Sequence, residues 1–295
     1  MSTYALKSGM SRSCGCLRVE VRRRLMLEFH SRRRGREAMN EHWKLARPTY
    51  IENWSPALRA LSVRSEGFGL LTTEAATLGR MNGEWGEAFV AYHPTQYPWE
   101  DELTIERLTG RVDELVRRFP NGAFVRLGSR SPKDSWWGHE HGFQCFEGMT
   151  AMRLLLDSSE RVHDDLSMAL HYTYNPWIWV REWRDIPHWA EFRCFMRDRK
   201  LVGVSQYFYR ELWCPGDALV SPRELLADLT ETFWPRFQRI CPLDDVVFDI
   251  TTDNPGAWTL IEINPFFDLT DPCLYSWADG GDFDGGIRVN KGAKG

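Results

Sequence analysis

Residues 245–265 read Asp245-Val-Val-Phe-Asp249-Ile-Thr-Thr-Asp253-Asn-Pro-Gly256-Ala-Trp-Thr-Leu-Ile-Glu262-Ile-Asn264-Pro265. Two apolar runs flank the turn-forming Asp253-Asn254-Pro255-Gly256, so the segment predicts a β-hairpin with strands Asp245 to Thr251 and Ala257 to Ile263. Asp and Glu are uncommon in strands, yet Asp249 and Glu262 sit inside these runs. A carboxylate in so apolar a setting needs a cation. Glu262 and Asn264 lie two apart and therefore share a face, and Pro265 stops the strand beside them. Asp249, Glu262 and Asn264 thus form a set of hard oxygen donors of the kind Mg²⁺ takes together with nucleotide phosphates. The bland alternative is a pair of ordinary solvent-facing strand residues.

Upstream lies a second hairpin. Glu191 to Met196 and Leu201 to Tyr207 flank Arg197-Asp198-Arg199-Lys200, which reads as a four-residue loop. Its period of two sets Glu191, Arg193 and Phe195 on one side and Phe192, Cys194 and Met196 on the other. Arg193 offers a planar guanidinium suited to phosphate oxygens, with a salt bridge to Glu191 or Glu182 as the structural alternative. Trp177 to Trp183 alternates as a strand closed off by Pro187. The short strand Ala123 to Leu127 carries Arg126 and leads into the polar loop 128–134, which contains Lys133; both cations are phosphate-binding candidates.

Helices interleave with these hairpins. Leu103 through Phe119 keeps apolar residues at three- and four-residue steps, ended by Pro120-Asn121-Gly122. Ser221-Pro222-Arg223-Glu224 has the form of a capping box opening a helix that Pro235 should kink or divide. Strands arriving in hairpin pairs favour an α+β fold with antiparallel sheets over a doubly wound parallel sheet.

Composition sets the outer bounds. The 295 residues, 43% of them apolar, are enough for a large core, and a net charge of −4 gives no whole-protein reason to expect nucleic-acid binding. Residues 1–47 hold twelve Lys or Arg against four Glu, net +8, which leaves about −12 for the remainder. The reading is a basic, disordered leader over 1–41 and a glycine- and aspartate-rich flexible tail over 278–295. With no signal-peptide pattern and no run of 18 apolar residues, a cytoplasmic location is expected. Seven scattered cysteines and eight histidines lack the spacing of a disulfide framework or a zinc site. No Ser-His-Asp or Cys-His nucleophile pattern is visible, so whether the chain is an enzyme stays open.

Taken in order, these pieces resemble a known family. Ser131-Pro132-Lys133-Asp134, Val180-Arg181-Glu182-Trp183, Ala190 to Phe195, Leu201 to Gln206, Val247 to Ile250, and Ile263 to Phe266 with Leu269-Thr270-Asp271 and Ser276-Trp277 are similar to the cell division cycle protein 123 family of the ATP-grasp superfamily. The resemblance spans about 42 to 277. It implies two lobes with antiparallel sheets clasping ATP: an N-terminal lobe over 42–180 with the phosphate-binding loop, and a C-terminal nucleotide- and Mg²⁺-binding lobe over 181–277. Asp249, Glu262 and Asn264 would hold Mg²⁺, and Arg193 would meet the phosphates. The strand carrying Arg181 and ending near Trp183 would line the adenine pocket. The family's phosphate-binding lysine falls at Arg126, which keeps the charge and changes the donor geometry. Glu262 stands where the family usually has Asp, and Gly128-Ser129-Arg130 replaces the usual Asn-Trp-Ser. The implied function is a nucleotide-liganded chaperone that assembles translation initiation factor 2 by binding its γ subunit, where the organism has that factor. The alternative is an ATP-dependent carboxylate-amine ligase working through an acyl-phosphate.

Overall fold

The computed structural model describes residues 33–95, 97–215, 220–252 and 256–292, with side chains from residue 39 onward. The chain divides into two units, 1–46 and 47–295. Of the first, helix α1 (Arg33–Ala46) is described, with Lys44 paired to Glu41 at 2.7 Å. The expected leader thus lies outside the described residues over 1–32, and its last part is helical.

In the second unit, one sheet is built from β1 (Ser65–Gly69), β2 (Ala123–Leu127) and β3 (Trp177–Glu182) in the order β1-β3-β2, all antiparallel. β3 runs across the expected lobe division at 180/181 and belongs wholly to this sheet. Short helix α2 (Pro56–Arg59) precedes the sheet. Helices α3 (Thr72–Arg80), α4 (Gly86–Tyr92), α5 (Pro98–Val116), α6 (Trp136–His141), α7 (Gly148–Leu156) and α8 (Glu160–His171) are inserted between its strands. The apolar stripe Leu108, Val112 and Val116 of α5 packs with Leu154 and Leu155 of α7 and with Val125, Leu127, Ile178 and Val180 of the sheet. That stripe follows from the three- and four-residue spacing seen in the sequence.

The other sheet has the order β7-β6-β4-β5-β8, from β4 (Glu191–Arg197), β5 (Lys200–Gln206), β6 (Val246–Thr252), β7 (Trp258–Pro265) and β8 (Ile287–Arg288). Its pairings are antiparallel except β5 with β8. Strand β8 comes from the stretch read as a flexible tail. Arg288 ties it down by hydrogen bonds to Asp282, Asp284 and the Leu274 carbonyl. The β4–β5 connection is also tighter than expected. Arg197 pairs directly with Lys200, and Asp198 and Arg199 both have positive φ (48° and 58°), the signature of a two-residue type I′ turn rather than a four-residue loop.

One face of this sheet carries Phe192, Cys194 and Met196 of β4 and Val246, Phe248 and Ile250 of β6. Helices α9 (Pro222–Asp228) and α10 (Trp234–Ile240) add Leu225 and Phe237 to that core, joined by the π-helical turn Leu229–Phe233 where Pro235 divides the helix as expected. Ile51, Trp54, Leu58 and Leu61, which precede β1 in sequence, complete the same core. They reach it as a strap: the Leu260 N–H donates to the Leu61 carbonyl (2.8 Å) and the Ser62 hydroxyl to the Leu260 carbonyl (2.6 Å).

Candidate functional site

The face of the second sheet opposite its core bears Glu191 and Arg193 on β4, Asp249 on β6, and Glu262 and Asn264 on β7. Strict alternation along β7 would turn Leu260 and Glu262 the same way. The register slips between Asp249 and Ile250, which face Glu262 and Leu260 respectively, so Ile261 is an extra residue, a β-bulge. Leu260 therefore enters the core while Glu262 and Asn264 come round beside Asp249. The irregular backbone at the bulge is capped from the other sheet, where Arg181 Nη1 donates to the Ile261 carbonyl at 2.8 Å.

Glu191, Arg193, Asp249 and Glu262 are buried and Asn264 partly so, and Asp249 and Glu262 are each matched by an arginine. Arg193, opposite Asp249 in the ladder, grips it with two bonds: Nε to Oδ1 and Nη2 to Oδ2, both 2.8 Å. Its Nη1 donates to the Asp271 carbonyl (2.9 Å) and its guanidinium lies over the Tyr207 ring. The salt bridge considered from the sequence, to Glu191 or Glu182, is replaced by this one because the next strand offers a carboxylate directly across the ladder. Arg126, 2% exposed, reaches from β2 to Glu262, with Nη1 2.9 Å from Oε2. Asn264 Nδ2 donates to the other oxygen of Glu262 (3.1 Å), and Arg193 Nη2 stands 4.0 Å from it. Burial alone would raise the Glu262 carboxyl, but Arg126, Lys133 and Arg193 outweigh it and hold the group well below the usual carboxylate range.

Lys133 donates from Nζ to the Tyr207 hydroxyl at 3.1 Å. Its loop is pinned by the next residue: Asp134 accepts from the Ser159 hydroxyl (2.7 Å) and from the backbone N–H of Arg161 (3.0 Å) at the start of α8. The loop begins at Gly128, where a Cβ would fall 1.7 Å from Glu52 Oε2. Glu52 is itself held there by the Tyr174 hydroxyl (2.7 Å) and Trp179 Nε1 (3.2 Å), so a side chain at 128 would push it off those bonds. Glu191, at the start of β4, is 6% exposed and, among the described residues, has no paired arginine. Burial pushes its carboxyl up to about 7, with Asp249 and Glu262 adding to the rise against Lys133 and Arg193.

The structure therefore brings together Arg126, Lys133, Arg193, Asp249, Glu262 and Asn264. Arg181 is close by, but its three nitrogens go to Ser62, Ser65 and Ile261, and burial lowers its pKa to about 9 with Arg126 adding to the fall. Trp183 follows the end of β3, where its N–H bonds the Gly122 carbonyl (3.0 Å). That is four residues, about 13 Å, along the strand from Trp179, which pairs with Arg126. The sequence reading did not reach Tyr207 and Arg161. Tyr207 ends the strand pattern 201–207 and had the phase to be found, whereas no local pattern marks Arg161. Two carboxylates, an amide and flanking cations can engage a divalent cation and phosphate oxygens. Among the described residues, no group of three or more His, Cys, Asp or Glu side chains is arranged to hold a metal ion.

Comparison with known proteins gives this fold its place. Among the described residues no helix is long and apolar enough to cross a membrane. The chain is 28% identical over 198 residues to a translation initiation factor eIF2 assembly protein of Xenopus laevis, covering 61% of this chain and 58% of that one. It is 26% identical over 205 residues to the protein of the same name from Schizosaccharomyces pombe, covering 63% and 59%. It thus spans less than two thirds of the length of these relatives. The solved structure of Cdc123 from Schizosaccharomyces pombe superposes with a TM-score of 0.60 at 21% identity, over 79% of this chain and 90% of that one. That likeness shows a shared fold, of the α+β class expected from the sequence. The family model D123 matches residues 89–281, more than half of the chain and the whole of the hairpin pair that carries the site, and the chain belongs to the D123 family.

Proposed function

We propose that the chain binds ATP with Mg²⁺ on the site face of the second sheet and acts as a nucleotide-liganded assembly factor for translation initiation factor 2. The observation that supports it most is the bulge-directed placement of Glu262 and Asn264 beside Asp249, with Arg126, Arg193 and Lys133 close around them. The donor set fits the metal. Asp249 and Glu262 supply carboxylate oxygens and Asn264 an amide that can present oxygen once turned, with a net charge low enough to leave phosphate oxygens and water for the remaining positions. Bound there, Mg²⁺ would draw charge off the phosphates. Arg193 and Lys133 would orient those phosphates, and Arg181 and Trp183 would stand on the adenine side. Relatives that carry the name eIF2 assembly protein support the assembly role; the partner of this proposal is a γ-type subunit of that factor, and its location the cytoplasm.

Calorimetric titration of MgATP into wild type and Asp249→Ala, with ADP release followed in parallel, tests this. Binding in wild type that weakens at least tenfold in the variant, without ADP release, is the expected result, and a pull-down with the γ-type subunit then tests the partner. ADP release that rises when amines and carboxylates are added would instead select the ligase alternative. No binding by wild type would end the nucleotide reading.

A further inference from the structure

The cations around the site differ in how far the protein already uses them. Arg126 donates from all three nitrogens, to Glu262, to the Leu127 carbonyl (3.0 Å) and to the Ser129 carbonyl (3.3 Å). Arg193 is engaged in the same way by Asp249 and Asp271, and Arg181 by Ser62, Ser65 and Ile261. Arg161 is not. Its Nε donates to the Ser131 carbonyl (2.9 Å), and among the described residues neither terminal nitrogen has a protein partner. A planar fork of N–H donors is left unused on a partly buried side chain.

Its position is fixed from two sides. The backbone N–H of Arg161 bonds Asp134, and its side chain bonds Ser131, so it is clamped to the loop that presents Lys133. It stands near enough to Arg130, Glu262 and Asp134 for their charges to act on it, and the neighbouring Tyr207 is the group that receives the Lys133 hydrogen bond. Burial lowers its pKa, and the neighbouring Arg130 lowers it further. With another arginine beside it and neither terminal nitrogen partnered among the described residues, the guanidinium has donors to spare for an anion, against the pull of Glu262 and Asp134.

We infer that Arg161, with Lys133, supplies the donors that grip the terminal phosphates of a polyphosphate ligand, while Arg126, at the position of the family's phosphate-binding lysine, serves as the fixed counter-ion of Glu262. This rests on the nucleotide reading above and adds to it a residue and a ligand class: a nucleoside triphosphate in preference to a diphosphate. Bidentate pairing of a guanidinium with phosphate is the stronger form of charged hydrogen bond.

The test is titration of MgATP and MgADP into wild type, Arg161→Gln and Arg161→Lys, with thermal melts to show that each variant is folded. Arg161→Gln should lose about tenfold to a hundredfold in affinity for MgATP. Its affinity for MgADP should fall less, and Arg161→Lys should recover part of the loss. A second measurement needs no variant: wild-type protein is treated with phenylglyoxal and its modified arginines are mapped with and without MgATP. Arg161 should react in the free protein and be protected by the nucleotide. Wild type that binds MgATP while Arg161→Gln binds it equally well, or while Arg161 stays reactive at saturation, overturns this inference and leaves the nucleotide reading standing. Wild type that binds neither nucleotide overturns both.

Discussion

Glu191 is the residue whose chemistry is most exposed to experiment. Its carboxyl is raised to about 7 in the folded chain and returns to the ordinary 4.5 when the chain unfolds. Between those values the folded state holds more protons than the unfolded one, so stability is greatest below pH 4.5 from this group and falls as the pH rises through about 7. The loss is on the order of 3 kcal/mol if the whole shift is realised. Glu191→Gln should remove this fall. Urea unfolding at pH 5 and pH 8 should show the variant gaining on wild type at the higher pH, and equal pH dependence of the two would refute the assignment. Among the site residues, Asp249, Glu262 and Arg193 were legible because a charge inside an apolar strand is a local anomaly that the sequence displays. Arg161 was not, because what singles it out is a pair of long-range bonds to Asp134 and Ser131, and an arginine near the start of a helix looks like any solvated one.

At the scale of elements, the strands were readable from period-two alternation and α9 from its cap. Ser221 Oγ accepts from the Glu224 N–H (3.2 Å), and Glu224 Oε2 accepts from the Ser221 N–H (2.9 Å). What the pattern could not show was the tightness of the β4–β5 turn. Type I′ geometry normally calls on Asn-Gly, and Arg199 in its left-handed position costs about 1 kcal/mol or more. The compensation comes from elsewhere in the chain: the Arg199 guanidinium donates to the carbonyls of Gln238, Cys241 and Leu243 at the end of α10, and Gln238 Nε2 donates back to the Arg199 carbonyl (2.6 Å). Those of Gln238 and Cys241 are carbonyls the helix end leaves unpaired. Arg199→Ala keeps the backbone strain and removes the cap, so it should lower stability by about 1 to 3 kcal/mol in denaturant unfolding. A variant as stable as wild type would show that the turn does not depend on the helix end. The β8 strand escaped the sequence reading for a related reason, since two residues of pairing, anchored by Arg288, are too short to leave a period.

At the scale of the whole chain, the sequence suggested lobes that follow one another, and the cores do not respect that order. Ile51, Trp54, Leu58 and Leu61 lie before the first sheet and pack in the core of the second, and Trp179 of β3 joins them there. A fragment of residues 184–292 carries all the strands of the second sheet but lacks these side chains, all of them buried. Each buried residue of this size withdrawn from a core costs about 2 to 5 kcal/mol, against a total stability of about 5 to 15. The fragment should therefore show no cooperative thermal transition by circular dichroism, whereas the full chain should melt with one. A cooperative transition in the fragment would mean that the strap is dispensable.

The strap also imposes a schedule on synthesis. Residues 51–61 leave the ribosome about 200 residues before the β7 backbone that receives them at Leu260. At roughly 5–20 residues per second, they wait about 10 to 40 seconds with Trp54 and Leu58 uncovered. During that interval the nascent chain presents an apolar segment whose intended cover does not yet exist.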